Sequence, residues 1–416
     1  MTQAHRRAPS QPARRNWLYR VIVPQATGET NPLFLVLAAT VVVLLFLGLL
    51  MTFSASFVQS AADTAASGQP DAFGIFRRQL LWCLLGVPLT VGVALRNYRT
   101  WRPYIRVFLI VTLVLAIVVV IPNVGIVRSG ARRWLGVEPL VFQPAELLKL
   151  SIPLFCADVL ARHWGRLKTG DLHALLVPVV PLLLTVAVIV MAEPDLETAA
   201  LLVAIGLTML YVAGLPTRWL LTGGLVVAAL VGVGIASADF RMGRLGAWLD
   251  PASSAGEYGY QTLQGYYALG SGGWLGTGLG AGRGKWLYLP NAHTDFIFAI
   301  IGEELGLLGV LLVLTLYVVI AVVGVRIAAT APDSFGRLLA TGLVAAILLQ
   351  AAINMGSVVG LLPVTGVTLP FVSFGGTSLV ITMVSAGLLL SIARHTRPAD
   401  PKGKNTTSTH RRGDMT

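Results

Sequence analysis

Long apolar runs, each interrupted by a short polar or Gly/Pro-bearing segment, recur from Pro32 to Arg394. A bilayer core of about 30 Å is crossed by roughly 17 to 25 helical residues. Runs of that order fall at 33–53, 79–95, 104–121, 144–160, 173–192, 198–212, 219–236, 296–323, 338–358 and 376–392. The pattern predicts an all-α polytopic membrane domain of ten transmembrane helices over 33–394. Polar tails flank it at 1–32 and 395–416, and both are rich in residues that favour disorder. The first run is too long for the core of a signal peptide and reads as a retained span. The sequence carries no defensible internal repeat.

Composition sharpens this picture. Of 416 residues, 55% are hydrophobic and only 12% charged, and mean hydropathy is +0.75, whereas soluble domains are about a quarter charged. An ordinary soluble enzyme is excluded. The net charge of +12 could suggest nucleic acid, but about two-thirds of the 31 Lys and Arg lie on the side of the termini, clustered at 6–20, 96–106, 162–168 and 394–412. By the positive-inside rule both termini are cytoplasmic, and the charge is topological rather than a nucleic-acid footprint. Cys83 and Cys156 fall within apolar runs without a CxxC pair, so neither a disulfide framework nor a thiolate metal site is indicated.

Four outer segments are too particular to be spacers. The longest, 237–295, contains GSGGWLGTGLGAGRGKWLYLPNAHTDF at 270–296. A P-loop is excluded because Leu279 occupies its first glycine position and Trp286 stands where Ser or Thr belongs. A dinucleotide fingerprint lacks its strand–turn–helix context, which leaves a Gly-rich loop re-entering the interface. Asp295 ends this segment at the mouth of the eighth run. Two readings fit it: Thr294 or Asp295 caps the helix that follows, or the carboxylate is a general base for an anionic substrate, with His293, Arg283 and Lys285 nearby in sequence.

The second segment carries Arg132-Arg133-Trp134, then Gln143-Pro144-Ala145-Glu146 and Lys149. Glu146 and Lys149 form an i,i+3 pair that either neutralises itself or lines a substrate path, and Arg133 with Lys149 could receive a diphosphate. The third, Glu193-Pro194-Asp195-Leu196-Glu197, is a solvated acidic turn or a weak hard-cation site through Glu193 and Asp195. The fourth, 362–376, is rich in Pro and Gly, includes Ser373, and reads as a re-entrant wall or a tight connection. Glu303 and Glu304 lie inside Gly302-x-x-x-Gly306, a close-packing spacing; they pair with a neighbouring helix or line a cavity.

GARRWL (130–135), FQPAELLKL (142–150), EPDL (193–196), YLPNAHTDFIFAIIGEELGLLG (288–309) and LPVTGVTLPFVSFGGTSLV (362–380) together resemble the SEDS family of bacterial cell-wall proteins, in the family's order and over most of the chain. The likeness is nearer to its division branch than to its elongation branch. It implies a GT-C-like fold and a peptidoglycan glycosyltransferase that polymerises lipid II at the septum beside a class B penicillin-binding transpeptidase. It also implies that Asp295 is essential, that Arg133, Trp134 and Lys149 belong to the site, and that Mg2+ or Mn2+ is required at no agreed site. Gln143, Glu146, Arg283, Lys285, His293, Thr294 and Ser373 complete the expected substrate-facing set. Departures from the pattern are Glu197 in place of Gly, Asn291 in place of Glu and Phe374 in place of Tyr. A lipid II transporter, a scaffold and an elongation-type polymerase are the competing expectations. The transporter would rest on Lys149, Glu146, Glu303 and Glu304.

Overall fold

A computed structural model describes residues 31–396 except 66–68, 129, 138–139, 169–170 and 257. Apart from 31–32 and 395–396, the tails expected at 1–32 and 395–416 lie outside the described residues. Every predicted run is helical: α1 (Pro32–Ala65), α2 (Gly74–Leu95), α3 (Ile105–Val120), α4 (Pro144–Arg162), the short α5 (Trp164–Lys168) and α6 (Leu172–Leu176), α7 (Val180–Ala192), α8 (Leu196–Val212), α9 (Thr217–Ala236), then α12 (Ile297–Thr330), α13 (Ser334–Val358) and α14 (Gly376–His395). Among the described residues eight helical segments are long and apolar enough to cross a membrane. α8 falls short with 17 residues, and α4 carries Glu146, Lys149 and Asp158 among its buried residues. Pro144 begins α4, where its missing N–H costs nothing. Asp195 and Asp333 cap α8 and α13 by accepting from Thr198 N (3.1 Å) and Gly336 N (2.6 Å).

Of these eight segments α14 and α13 are the most buried and α9 the least. α14 packs against α2 so closely that a Cβ on Gly387 would stand 2.7 Å from the Thr90 carbonyl oxygen. α13 meets α4 and α8 where Gly342 abuts Met209 and Pro153.

Two features depart from the all-helical expectation. Between α3 and α4 lies a three-stranded antiparallel meander of β1 (Ile126–Arg128), β2 (Ala131–Val137) and β3 (Leu140–Phe142), with Ile126 opposite Trp134 and Leu135 opposite Phe142. It presents Arg133 and Trp134 from its middle strand. The long 237–295 segment is also structured, containing α10 (Asp239–Leu249), α11 (Tyr258–Ser271) and a π-type turn at Gly284–Tyr288.

The length of α12 has a physical cause. Gly306 adopts φ 66°, ψ −163° and breaks the helix, a conformation open essentially to glycine alone. The Gly-rich loop fills the break. Thr277 N and Gly278 N donate to the carbonyls of Glu303 (2.9 Å) and Glu304 (3.1 Å), while Leu307 N and Leu308 N donate to Gly273 O (2.9 Å) and Trp274 O (3.3 Å). Backbone at this depth has no water to turn to, so loop and helix satisfy each other. A Cβ on Gly306 would lie 2.3 Å from Gly276 N and 2.6 Å from Trp274 O. Gly306→Ala is therefore expected to cost about 3 kcal/mol or more, read as a lowered Tm in detergent.

Candidate active site

Asp295 stands one residue outside the cap of α12. The N-cap is Phe296, with no side-chain cap, and the Thr294 hydroxyl donates to Asn291 O (3.2 Å) instead. The capping reading is thereby corrected: the helix starts too late for either residue to serve it. What holds Asp295 is its backbone. Asn354 of α13, fully buried, donates through Nδ2 to Asp295 O and to Val367 O, both at 2.8 Å. Ser373 Oγ donates to Thr294 O (2.6 Å) and Phe374 N to His293 O (2.9 Å). The Pro/Gly segment thus fixes the carbonyls of His293 and Thr294, and Asn354 of α13 fixes that of Asp295. Ser373, expected to face substrate, is buried and supports this stretch instead.

No hydrogen bond among the described residues reaches the half-buried Asp295 carboxylate. Burial pushes its pKa up to about 7, opposed by the Arg244 guanidinium and assisted by the Glu197 carboxylate. His293 packs its ring on Phe374 (5.5 Å). Burial drives its pKa down to about 4, against the pull of Asp63, so at neutral pH it is an uncharged neighbour rather than a cation.

The 193–197 turn is clamped from the sheet. Arg133 donates through Nε to Glu193 O (2.9 Å) and through Nη2 to Pro194 O, with Nη1 3.6 Å from Asp195. Gln143 Nε2 donates to Asp195 Oδ2 (3.1 Å). Trp134 lies beneath the Arg128 guanidinium, 5.6 Å from its ring centre. Arg133 and Gln143 therefore build the turn, and their donors are committed to it.

The two lysines expected to meet substrate are also committed. Lys149 is buried, pairs with Glu146, and donates to Gln350 Oε1 (2.8 Å) and Ser378 Oγ (3.4 Å), tying α4 to α13 and α14. Lys285 is buried against Glu304 (2.8 Å) and Ser54 (3.2 Å). Glu303 accepts from Arg283 N (2.6 Å) and Gly284 N. An unpaired charge at this depth is costly, and each has recruited a partner. Lys285, Glu303 and Glu304 hold the Gly-rich loop to α12 and α1, and Lys149 with Glu146 holds α4 to α13 and α14, so among the described residues these charges are engaged with one another and with nearby polar groups. The Arg283 side chain remains exposed.

The acidic turn does not fit a metal. Both carboxylate oxygens of fully buried Glu193 lack a hydrogen-bond partner. Burial and Asp195 push its pKa up to about 8, opposed by Arg133, which disfavours the ionised form that a hard cation needs. Asp195 is already occupied by Thr198 N, Gln143 and Arg133. Among the described residues no group of three His, Cys, Asp or Glu is placed to hold an ion.

Sequence reasoning missed Asn354 and Gln350, whose signal was two amides at i,i+4 inside an otherwise apolar run. It also missed Arg244, which lies on α10 one turn after Arg241.

The family model described as Cell cycle protein, covering FtsW, RodA and SpoVE, matches residues 35–398. The chain is 38% identical to Stage V sporulation protein E of Bacillus subtilis over 89% of this chain and 99% of that protein. It is 37% identical to the probable peptidoglycan glycosyltransferase FtsW of Geobacter sulfurreducens over 88% and 96%. A solved structure described as a peptidoglycan synthase complex that coordinates polymerization and crosslinking superposes with a TM-score of 0.67 at 28% identity, covering 86% of this chain and 97% of that one. The family model and these relatives show that the chain belongs to the SEDS family of FtsW/RodA/SpoVE cell cycle proteins.

Proposed function

We propose that this chain is the septal peptidoglycan glycosyltransferase of its cell, with α4 and α8 completing ten spans and both termini in the cytoplasm. Its substrate is lipid II, and its partner is a class B penicillin-binding transpeptidase. The observation that carries this reading is the Asp295 carboxylate: unpartnered, rigidly mounted through its backbone and poised near neutrality at the outer mouth of the bundle.

Asp295 takes the proton of the acceptor's GlcNAc 4-hydroxyl as that oxygen attacks the anomeric carbon of the growing chain's terminal MurNAc. The bond from that carbon to the phosphate oxygen breaks, and the polyprenyl diphosphate leaves with the electron pair. Inversion gives a β-1,4 bond. A donor already activated by its diphosphate needs orientation and charge stabilisation more than covalent help. Because the 193–197 turn fits no metal, no step is assigned to a protein-held ion. We propose instead that a required Mg2+ or Mn2+ enters with the substrate. The ion alone should then leave Tm unchanged, while chelation lowers turnover.

The base must be ionised to act. Below its pKa of about 7 polymerisation should fall about tenfold per pH unit and above it reach a plateau. A kcat profile flat from pH 5.5 to 8.5, with folding intact, would remove Asp295 from this role.

A further inference from the structure

Three arginines converge on the 193–197 turn and differ in how they are used. Arg133 and Arg241 are committed to backbone carbonyls: Arg133 to Glu193 and Pro194, and Arg241 to Gly234 (2.8 Å) and Pro194 (3.3 Å). Among the described residues Arg244 has one polar contact, a long one from Nη1 to Glu197 Oε1 at 3.5 Å, with the two side chains 41% and 25% exposed. The Phe240 ring backs its guanidinium at 5.9 Å. Arg244 is also the cation whose field acts on the Asp295 carboxylate, and Glu197 is the acid that acts on it. Lys149 and Lys285 are buried in ion pairs, whereas Arg244 keeps most of its donors free.

We propose that Arg244 is a ligand for the phosphate groups of the lipid substrate, and that Glu197 holds it in place until those phosphates displace the carboxylate. The assignment rests on the glycosyltransferase reading and names a residue for its anionic leaving group. A guanidinium presents two parallel N–H donors to a phosphate, a geometry that a single carboxylate contact at 3.5 Å does not use. An exposed pair of this kind is weak, so a diphosphate carrying more charge outcompetes it. Glu197 thus sets affinity in two ways: it occupies Arg244, and it adds negative charge where an anion must arrive. Its placement on the first turn of α8, capped by Asp195, fixes its distance from the α10 helix that carries Arg244.

Steady-state polymerisation of lipid II by the intact complex with its transpeptidase tests this. Arg244→Gln is expected to raise KM about tenfold or more with a smaller change in kcat, and Arg244→Lys to recover part of that loss. Glu197→Gln is expected to lower KM several-fold and to make inorganic diphosphate a stronger competitive inhibitor. Wild-type KM in Arg244→Gln would overturn the assignment. So would Glu197→Gln raising KM as Arg244→Gln does, because the pair would then only brace α10 against α8. A wild-type complex that makes no polymer would instead refute the enzymatic reading itself.

Discussion

Asp295→Asn should abolish polymerisation without unfolding the protein. Loss of a positioned general base typically costs 10²- to 10⁴-fold in rate, and this carboxylate makes no hydrogen bond whose loss would add a structural penalty. Its position depends on the backbone carbonyl held by Asn354, which the substitution leaves in place. Tm should therefore match wild type or rise slightly, because burial already disfavours the charged form. The check is initial-rate polymerisation at pH 8 together with thermal unfolding of the same preparation. Wild-type turnover in the variant would end the base assignment.

The second large effect concerns stability. Glu304 and Lys285 are both fully buried, and Ser54 of α1 donates to Glu304 (2.7 Å and 2.8 Å) while accepting from Lys285. Glu304→Ala strands the ammonium and releases Gly280 N, which donates to the same carboxylate at 3.0 Å. Removing one partner of such a pair costs about 3–5 kcal/mol. The double variant Lys285→Met/Glu304→Leu, which removes both charges, should recover much of that loss. Equal destabilisation of the single and double variants would show that packing, not charge, holds the loop.

The spans were legible because twenty apolar residues in a row leave few alternatives. The grouping of outer motifs near the bundle mouth was legible for the same reason, since it follows from which loops share a side. Partners were not. Lys285 lies ten residues before Asp295 and reads as its neighbour, yet its buried partners are Glu304 and Ser54, the latter more than two hundred residues away. The Gly302-x-x-x-Gly306 spacing suggested close helix packing. Gly306 instead breaks α12, which is why adjacent Glu303 and Glu304 both serve the same loop. The small sheet escaped notice because strands of three and seven residues without clean alternation carry little periodic signal. Arg244 was overlooked because α10 was not anticipated within the long segment.

The charged residues that would favour transport are engaged in fixing α12, α13 and the Gly-rich loop, whereas among the described residues no hydrogen bond reaches the Asp295 carboxylate. The most direct measurement is therefore glycan formation from purified lipid II by the intact complex with its transpeptidase and Mg2+ or Mn2+. The account predicts polymer from wild type and none from Asp295→Asn. An intact wild-type complex that forms no polymer, yet moves lipid II across a bilayer, would contradict it.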